Sequence, residues 1–288
     1  MPSYVTGILV QIALAAAVLT AAIGQQLTPD NQPIESFRIA DRVFYVGSSD
    51  IASYLIQTDA GHILIDAGYA ATAAQIEANV VRLGFRLHDV KILLNTQAHF
   101  DHAGGFAEIK RVTGAKLMAS DADAIMIERG GHGDFALGDT GTFPPVTVDH
   151  RLKDGEDVRL GGTVLTAHLT PGHTKGCTTW TWDVRDRGQM YHVVDMCGLT
   201  ILPGTKVSGM PAYPEIARDY ERTFDVLRSL PCDIFLGAHG SYYGAMEKAL
   251  RMRGHPDRAN AFVDPVGYRT YVGRAEERFR QQLAHDRQ

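Results

Sequence analysis

Residues 95–102 read Asn-Thr-Gln-Ala-His-Phe-Asp-His and follow at once on the apolar stretch Val90-Lys91-Ile92-Leu93-Leu94. Gln97, His99, Asp101 and His102, all able to ligate a metal, therefore cluster at the end of what reads as a short buried strand over residues 90–95. In an extended segment residues 97, 99 and 101 project to one side. His102 opens the following helix, expected over residues 102–112, and points elsewhere. Such a segment serves two neighbouring ions rather than one, and the remaining ligands have to come from elsewhere in the chain. His173, in Thr170-Pro171-Gly172-His173-Thr174, and His239, in Leu236-Gly237-Ala238-His239-Gly240, are the candidates. Each stands at a strand end beside glycine, where a loop can carry a side chain into a cleft. Imidazole combined with carboxylate suits zinc. The chain is thus constrained to bring three distant strand ends together.

The surrounding pattern comes in two successive batches. Residues 42–47, 53–58 and 62–66 read as antiparallel strands, the last two joined at Asp59-Ala60-Gly61. Residues 70–83 carry Ile76, Val80 and Leu83 at helical spacing and end at Gly84. Residues 121–129 read as another helix, followed by a glycine-rich loop over residues 130–141. Strands return at residues 158–160, 164–169, 178–182 and 191–194. An amphipathic helix over 214–230, a buried strand over 234–237 and a charged terminal helix over 268–283 complete the order. No repeat or low-complexity linker interrupts residues 30–288, so they read as one domain. Two sheets packed face to face with helices outside satisfy this order, because each sheet has to bury both faces.

Thirty-three acidic against 28 basic residues give a net charge of −5 without any basic run, which argues against a nucleic-acid partner. Residues 1–29 contain no charged side chain, and the apolar stretch 7–23 runs into Ala22-Ile23-Gly24. This reads as a secretory signal peptide over residues 1–24, leaving a mature domain over 25–288 in the periplasm with no stable membrane anchor. Export exposes the chain to oxidising conditions. Cys177, Cys197 and Cys232 allow three single bridges, and spacing does not choose among them. The histidines His62, His88, His150, His168, His192, His255 and His285 have no ligand spacing and read as surface or core residues, and His132 reads as solvated.

The order Gln-x-His-x-Asp-His, then Pro-Gly-His-Thr, then Gly-Ala-His-Gly resembles the metallo-β-lactamase superfamily, and specifically its subclass B3 β-lactamases. The likeness extends through Leu64-Ile65-Asp66-Ala67-Gly68 and through residues 131–137, 170–180, 230–244 and 264–279. It implies an α+β fold, the four-layer αβ/βα sandwich. It also implies a first zinc held by Gln97, His99 and His173 and a second held by Asp101, His102 and His239, with Asp66 supporting the metal loop by hydrogen bonding. Most members have His where this chain has Gln97. An amide is a neutral and weaker donor than imidazole, so the first of up to two zinc ions should bind less tightly.

The reaction implied is hydrolysis of the amide bond of β-lactam antibiotics, with hydroxide made available by zinc and Asp101 orienting the nucleophile. The alternative is another hydrolase of this fold, glyoxalase II-like, acting on a thioester, ester or lactone. Related hydrolases have a metal-bridging Asp near Asp195, here read as a supporting residue. Gln97 also raises a non-catalytic zinc-binding module. Cys197 is expected to be buried or bridged to Cys232, and Trp180 and Trp182 to lie in the core. Phe135 and Leu137 should form an apolar wall over the cleft, and the segment over residues 200–208, with its hydroxyls and Lys206, is a candidate to meet a substrate carboxylate. Protein recovered from the periplasm is expected to begin at or near Gln25, which N-terminal sequencing checks; an intact Met1 on membrane-bound protein would refute the cleavage.

Overall fold

Period-two alternation sets the facing of the central strands. In β3 (Tyr54–Thr58), β4 (Gly61–Ile65) and β5 (Val90–Leu94), the side chains Tyr54, Ile56, Ile63, Ile65, Ile92 and Leu94 turn to one face, and Leu55, Leu64 and Leu93 turn to the other. Both faces are apolar, so both have to be covered. A computed structural model describes residues 28–253 and 260–288 and shows how. The signal peptide expected over residues 1–24 lies outside the described residues.

The first sheet has the order β1-β2-β3-β4-β5-β6-β7, completed by β1 (Phe37–Ala40), β2 (Val43–Tyr45), β6 (Lys116–Ser120) and β7 (His150–Leu152). The second runs β12-β11-β10-β9-β8, from β8 (Asp157–Leu160), β9 (Thr163–Leu169), β10 (Thr178–Asp186), β11 (Gln189–Met196) and β12 (Ile234–Gly237). Strands β1 to β4 are antiparallel, whereas β4 to β7 pair in parallel and require crossovers. Helices α1 (Ala73–Arg82), α2 (Phe100–Ala103), α3 (Phe106–Thr113) and α4 (Asp121–Glu128) lie in those connections. Ile76, Val80, Phe106, Ile109 and Ile127 from α1, α3 and α4 cover Leu55, Leu64, Leu93 and Leu117. On the far side, α5 (Ile216–Ser229), α6 (Ala245–Met252) and α7 (Pro265–Asp286) complete the helices. Phe279 of α7 stacks 5.1 Å from Tyr220 and lies 5.7 Å from Phe224, both of α5. Trp180 and Trp182 are buried in the core, as expected. The result is the αβ/βα sandwich. No helix among the described residues is long and apolar enough to cross a membrane.

The structure corrects three local readings. The helix expected over 102–112 is two helices, because α2 ends at Ala103 and α3 starts at Phe106. The glycines between them let the backbone approach the loop after β4: a Cβ at Gly105 would stand 2.1 Å from the Ala67 carbonyl oxygen, and one at Gly104 would stand 2.7 Å from Ala70 N. Asp101 also lies in α2 with His102, rather than on the extended segment with Gln97 and His99. Finally, Cys197 bridges to Cys177, with Cα atoms 5.8 Å apart, and Cys232 is the free thiol. Antiparallel pairing of β10 and β11 matches Trp180 to Asp195, which puts Cys177 beside the residues just after β11. Parallel pairing matches Val193 to Ile234, so Cys232 lies at the opposite end of β11 from Cys197. Strands β1, β6 and β7 and helix α6 were not expected.

Two glycine substitutions test this account of the backbone. Gly105→Ala is expected to lower the unfolding midpoint by several degrees in thermal denaturation, because the added methyl would force the Ala67 backbone to shift. Gly273→Ala, in α7 with nothing within 4 Å, is expected to stabilise by about 0.5–1 kcal/mol.

Candidate metal centre

The parallel strands β4, β5 and β6 end on the same edge of the first sheet, as do β11 and β12 in the second. Loops leaving those ends, and the loop after β9, carry the histidines named above. His99 is the residue before α2, in extended conformation, and His102 is inside that helix. His99 Nδ1 faces His173 Nε2 at 3.1 Å, and His102 Nε2 faces His239 Nε2 at 3.2 Å. Asp101 Oδ2 lies 3.3 Å from His102 Nε2 and 3.7 Å from His239 Nε2. Among the described residues, Asp101, His102 and His239 form a group whose potential ligand atoms all lie within 4.8 Å of one another. Gln97 is buried on the His173 side of the cluster: a Cβ added to Gly198 would meet Gln97 Oε1 at 2.6 Å and His173 Cδ2 at 2.7 Å.

The opposite ring nitrogens have their own partners. His173 Nδ1–H donates to the Thr200 carbonyl at 2.6 Å, and His239 Nδ1–H donates to Asp50 Oδ2 at 3.0 Å. Both rings therefore turn a bare Nε2 lone pair toward another imidazole. His102 Nδ1 lies 3.2 Å from Asp66 Oδ2, and His99 Nε2 lies 3.7 Å from Asp134 Oδ2. Donors about 2.0–2.1 Å from one tetrahedral zinc stand ~3.3 Å apart, so the spacing of both ring pairs fits an ion shared by each. A hydrogen-bonded carboxylate or carbonyl behind an imidazole fixes its tautomer and orientation in metal sites, and His173 and His239 have that arrangement. The donor set fits zinc.

Charge within the cluster follows from burial and neighbours. Burial opposes the charge on both Asp101 and His102, yet their mutual attraction prevails: it holds Asp101 well below the usual carboxylate range and pushes His102 up to about 10. Burial and then the His99 ring push His173 down to about 3, so its imidazole is neutral. Asp66 sits at φ 57°, a left-handed conformation uncommon for a non-glycine residue. Its carboxylate accepts the Thr96 N–H at 2.8 Å and the Thr96 hydroxyl at 2.6 Å, tying the start of the Gln97 segment to the strand that faces His102.

Asp195 is fully buried, with no hydrogen bond to either carboxylate oxygen, and burial pushes it well above the usual carboxylate range. It is not in the Asp101, His102 and His239 group. Phe135 stacks edge-on against Tyr213 at 4.9 Å, and Leu137 lies beside Phe100 around Gly141. The loop carrying them also brings Asp134 to His99. Lys206 is exposed in a segment whose Val207 N–H donates to Asp286 Oδ2 at 2.6 Å, at the end of α7. Sequence reasoning missed Asp50 and Asp134. Asp50 has no local motif; it meets His239 because Ile51 forms an isolated bridge with that residue.

Comparison with known proteins follows the same lines. Residues 47–186 match the family described as the metallo-beta-lactamase superfamily. The native FEZ-1 metallo-beta-lactamase from Legionella gormanii is 43% identical with a TM-score of 0.87, covering 91% of this chain and 99% of that one. The class B3 di-zinc metallo-beta-lactamase LRA-12 from an Alaskan soil metagenome is 38% identical with a TM-score of 0.85, covering 90% and 98%. The hydroxyacylglutathione hydrolase of Rhodopseudomonas palustris (strain BisB18) is 30% identical over 130 residues, and the match spans only 43% of each chain.

Removing the carboxylate behind His239 tests the support of the cluster. Asp50→Ala is expected to weaken zinc binding by about 10–100-fold in a chelator competition, with the fold retained by circular dichroism.

Proposed function

The chain belongs to the metallo-β-lactamase superfamily, and we propose that it is a zinc-dependent β-lactamase of the subclass B3 kind, hydrolysing the cyclic amide of β-lactam antibiotics. The observation that carries this reading is the pairing of His99 with His173 and of His102 with His239 and Asp101, in a chain that covers nearly the whole of a 43%-identical metallo-beta-lactamase. On this reading Gln97, His99 and His173 hold one zinc, and Asp101, His102 and His239 hold the other. Zinc, when bound, polarises the amide carbonyl and lowers the pKa of a bound water towards ~7.

The chain's own residues supply the rest. Asp101 stays ionised beside His102 and accepts a hydrogen bond from the attacking water, fixing its approach to the carbonyl carbon. Asp66, Asp50 and the Thr200 carbonyl hold His102, His239 and His173 in register, so little reorganisation is needed during the reaction. Phe135 and Leu137 offer an apolar flank for the bicyclic substrate. Water adds across the C–N bond: its oxygen becomes part of the new carboxylate, one of its protons ends on the ring nitrogen and the other is released to solvent. The placement of Asp195 outside the ligand group favours this reading over glyoxalase II-like chemistry with a bridging Asp. Export to the periplasm would bring the enzyme to its substrates.

Hydrolysis of nitrocefin or a carbapenem is expected to vanish on exhaustive chelation and return with zinc, with serine-directed inhibitors having no effect. Asp101→Ala should abolish turnover, and Gln97→His should tighten the weaker zinc step in a metal titration. Activity that survives chelation would refute the metal mechanism. Chelator-sensitive turnover of thioesters without β-lactam hydrolysis would transfer the function to the alternative.

A further inference from the structure

Asp123 is a buried carboxylate that the chemistry above does not use. It stands in the first turn of α4, whose N-cap is Ser120, and its own N–H donates to Ser120 Oγ at 3.4 Å. The Ser-x-x-Asp spacing is that of a capping box, in which the acidic side chain turns back to the N-cap backbone. Here it turns inward instead. Oδ1 accepts the Gly176 N–H at 3.0 Å and Oδ2 accepts the Thr174 hydroxyl at 3.2 Å. The Ala98 N–H is directed toward the same carboxylate and favours its charged form.

Ala98 lies between Gln97 and His99, and Thr174 follows His173. One side chain, in a residue only 1% exposed, therefore lies between the two backbone segments that carry this trio, bonded to the His173 loop and facing the Ala98 N–H. The grip is reinforced on either side. The Ser120 hydroxyl donates to the Gly176 carbonyl at 2.6 Å, and the Thr178 N–H donates to the Thr96 carbonyl at 2.8 Å. The other cluster has separate supports, Asp66 behind His102 and Asp50 behind His239.

We propose that Asp123 is a positioning residue of the first metal site, setting how far the Gln97–His99 segment stands from His173 and thereby that site's affinity for zinc. The inference rests on the reading that Gln97, His99 and His173 hold one ion and Asp101, His102 and His239 the other. A site with a neutral amide among its donors lacks the carboxylate charge that anchors the second ion, so its affinity depends more heavily on geometry.

The test is competition between the intact protein and a chromogenic chelator, which resolves two zinc-binding steps. His173→Ala and His239→Ala in parallel assign each step to a site. Asp123→Asn keeps the shape but turns an amide N–H₂ toward one of the three donors. It is expected to weaken the first-site step by about 10–100-fold and to leave the second within about twofold. Thr174→Val, which removes a single link, should weaken the same step by a smaller factor. The cobalt-substituted Asp123→Asn protein should show altered absorption from the first site alone. Equal weakening of both steps, or no change in either, would overturn the proposal. If Asp123→Asn does not fold, an unchanged first step in Thr174→Val overturns it. A parent protein that binds only one ion, lost in both histidine variants, would instead overturn the two-site reading, and the inference with it.

Discussion

Four imidazoles are held in two pairs with ring nitrogens 3.1 and 3.2 Å apart, and two of those nitrogens are bare because their rings donate from the other side. At these distances an N–H on the opposing ring or a shared cation closes each pair, but only while the surroundings enforce which nitrogen each ring presents. The enforcement comes from behind: Asp66, Asp50 and Asp134 carboxylates and the Thr200 carbonyl each face a ring's outward nitrogen. Those groups sit where they do because parallel strands end on a common edge. The fold's main task at this edge is to hold together side chains from distant segments that would otherwise separate.

The residues proposed as ligands stand out in the sequence because they are either contiguous, as in Gln97 to His102, or flagged by glycine at a strand end, as with His173 and His239. The supporting carboxylates differ. Asp66 could be read only through its Asp-Ala-Gly setting and family likeness. Asp50 and Asp134 carry no pattern, because their partners are chosen by register between distant segments, such as the bridge from Ile51 to His239. The two-batch order of strands and helices predicted the sandwich, since apolar residues on both faces of β3, β4 and β5 demand cover on each side. Elements with weak patterns escaped: β7 has two exposed polar residues out of three, and β6 contains no β-branched residue.

Register also explains the cysteines. Antiparallel β10 and β11 bring Cys177 and Cys197 together, whereas the parallel β11–β12 ladder places Cys232 at the wrong end of the strand. The bridge thereby joins the loop after His173 to the turn at Gly198, against which Gln97 and His173 both pack. The glycine pair at Gly104 and Gly105 makes a comparable local demand, bringing the backbone of α2 and α3 against the loop that holds Asp66.

Each histidine pair joins the two halves of the sandwich. His99 and His102 follow β5 of the first sheet, while His173 and His239 follow β9 and β12 of the second. An ion shared by such a pair is a cross-link between layers, and the unfolded chain has no preformed counterpart to that link. Folding free energy then becomes a function of the free zinc concentration around the protein. An ion present at 100 times its dissociation constant adds about 2.7 kcal/mol to the folded state, a substantial share of a typical domain's margin. The same residues proposed to prepare the chemistry would thus make persistence of the fold depend on metal supply.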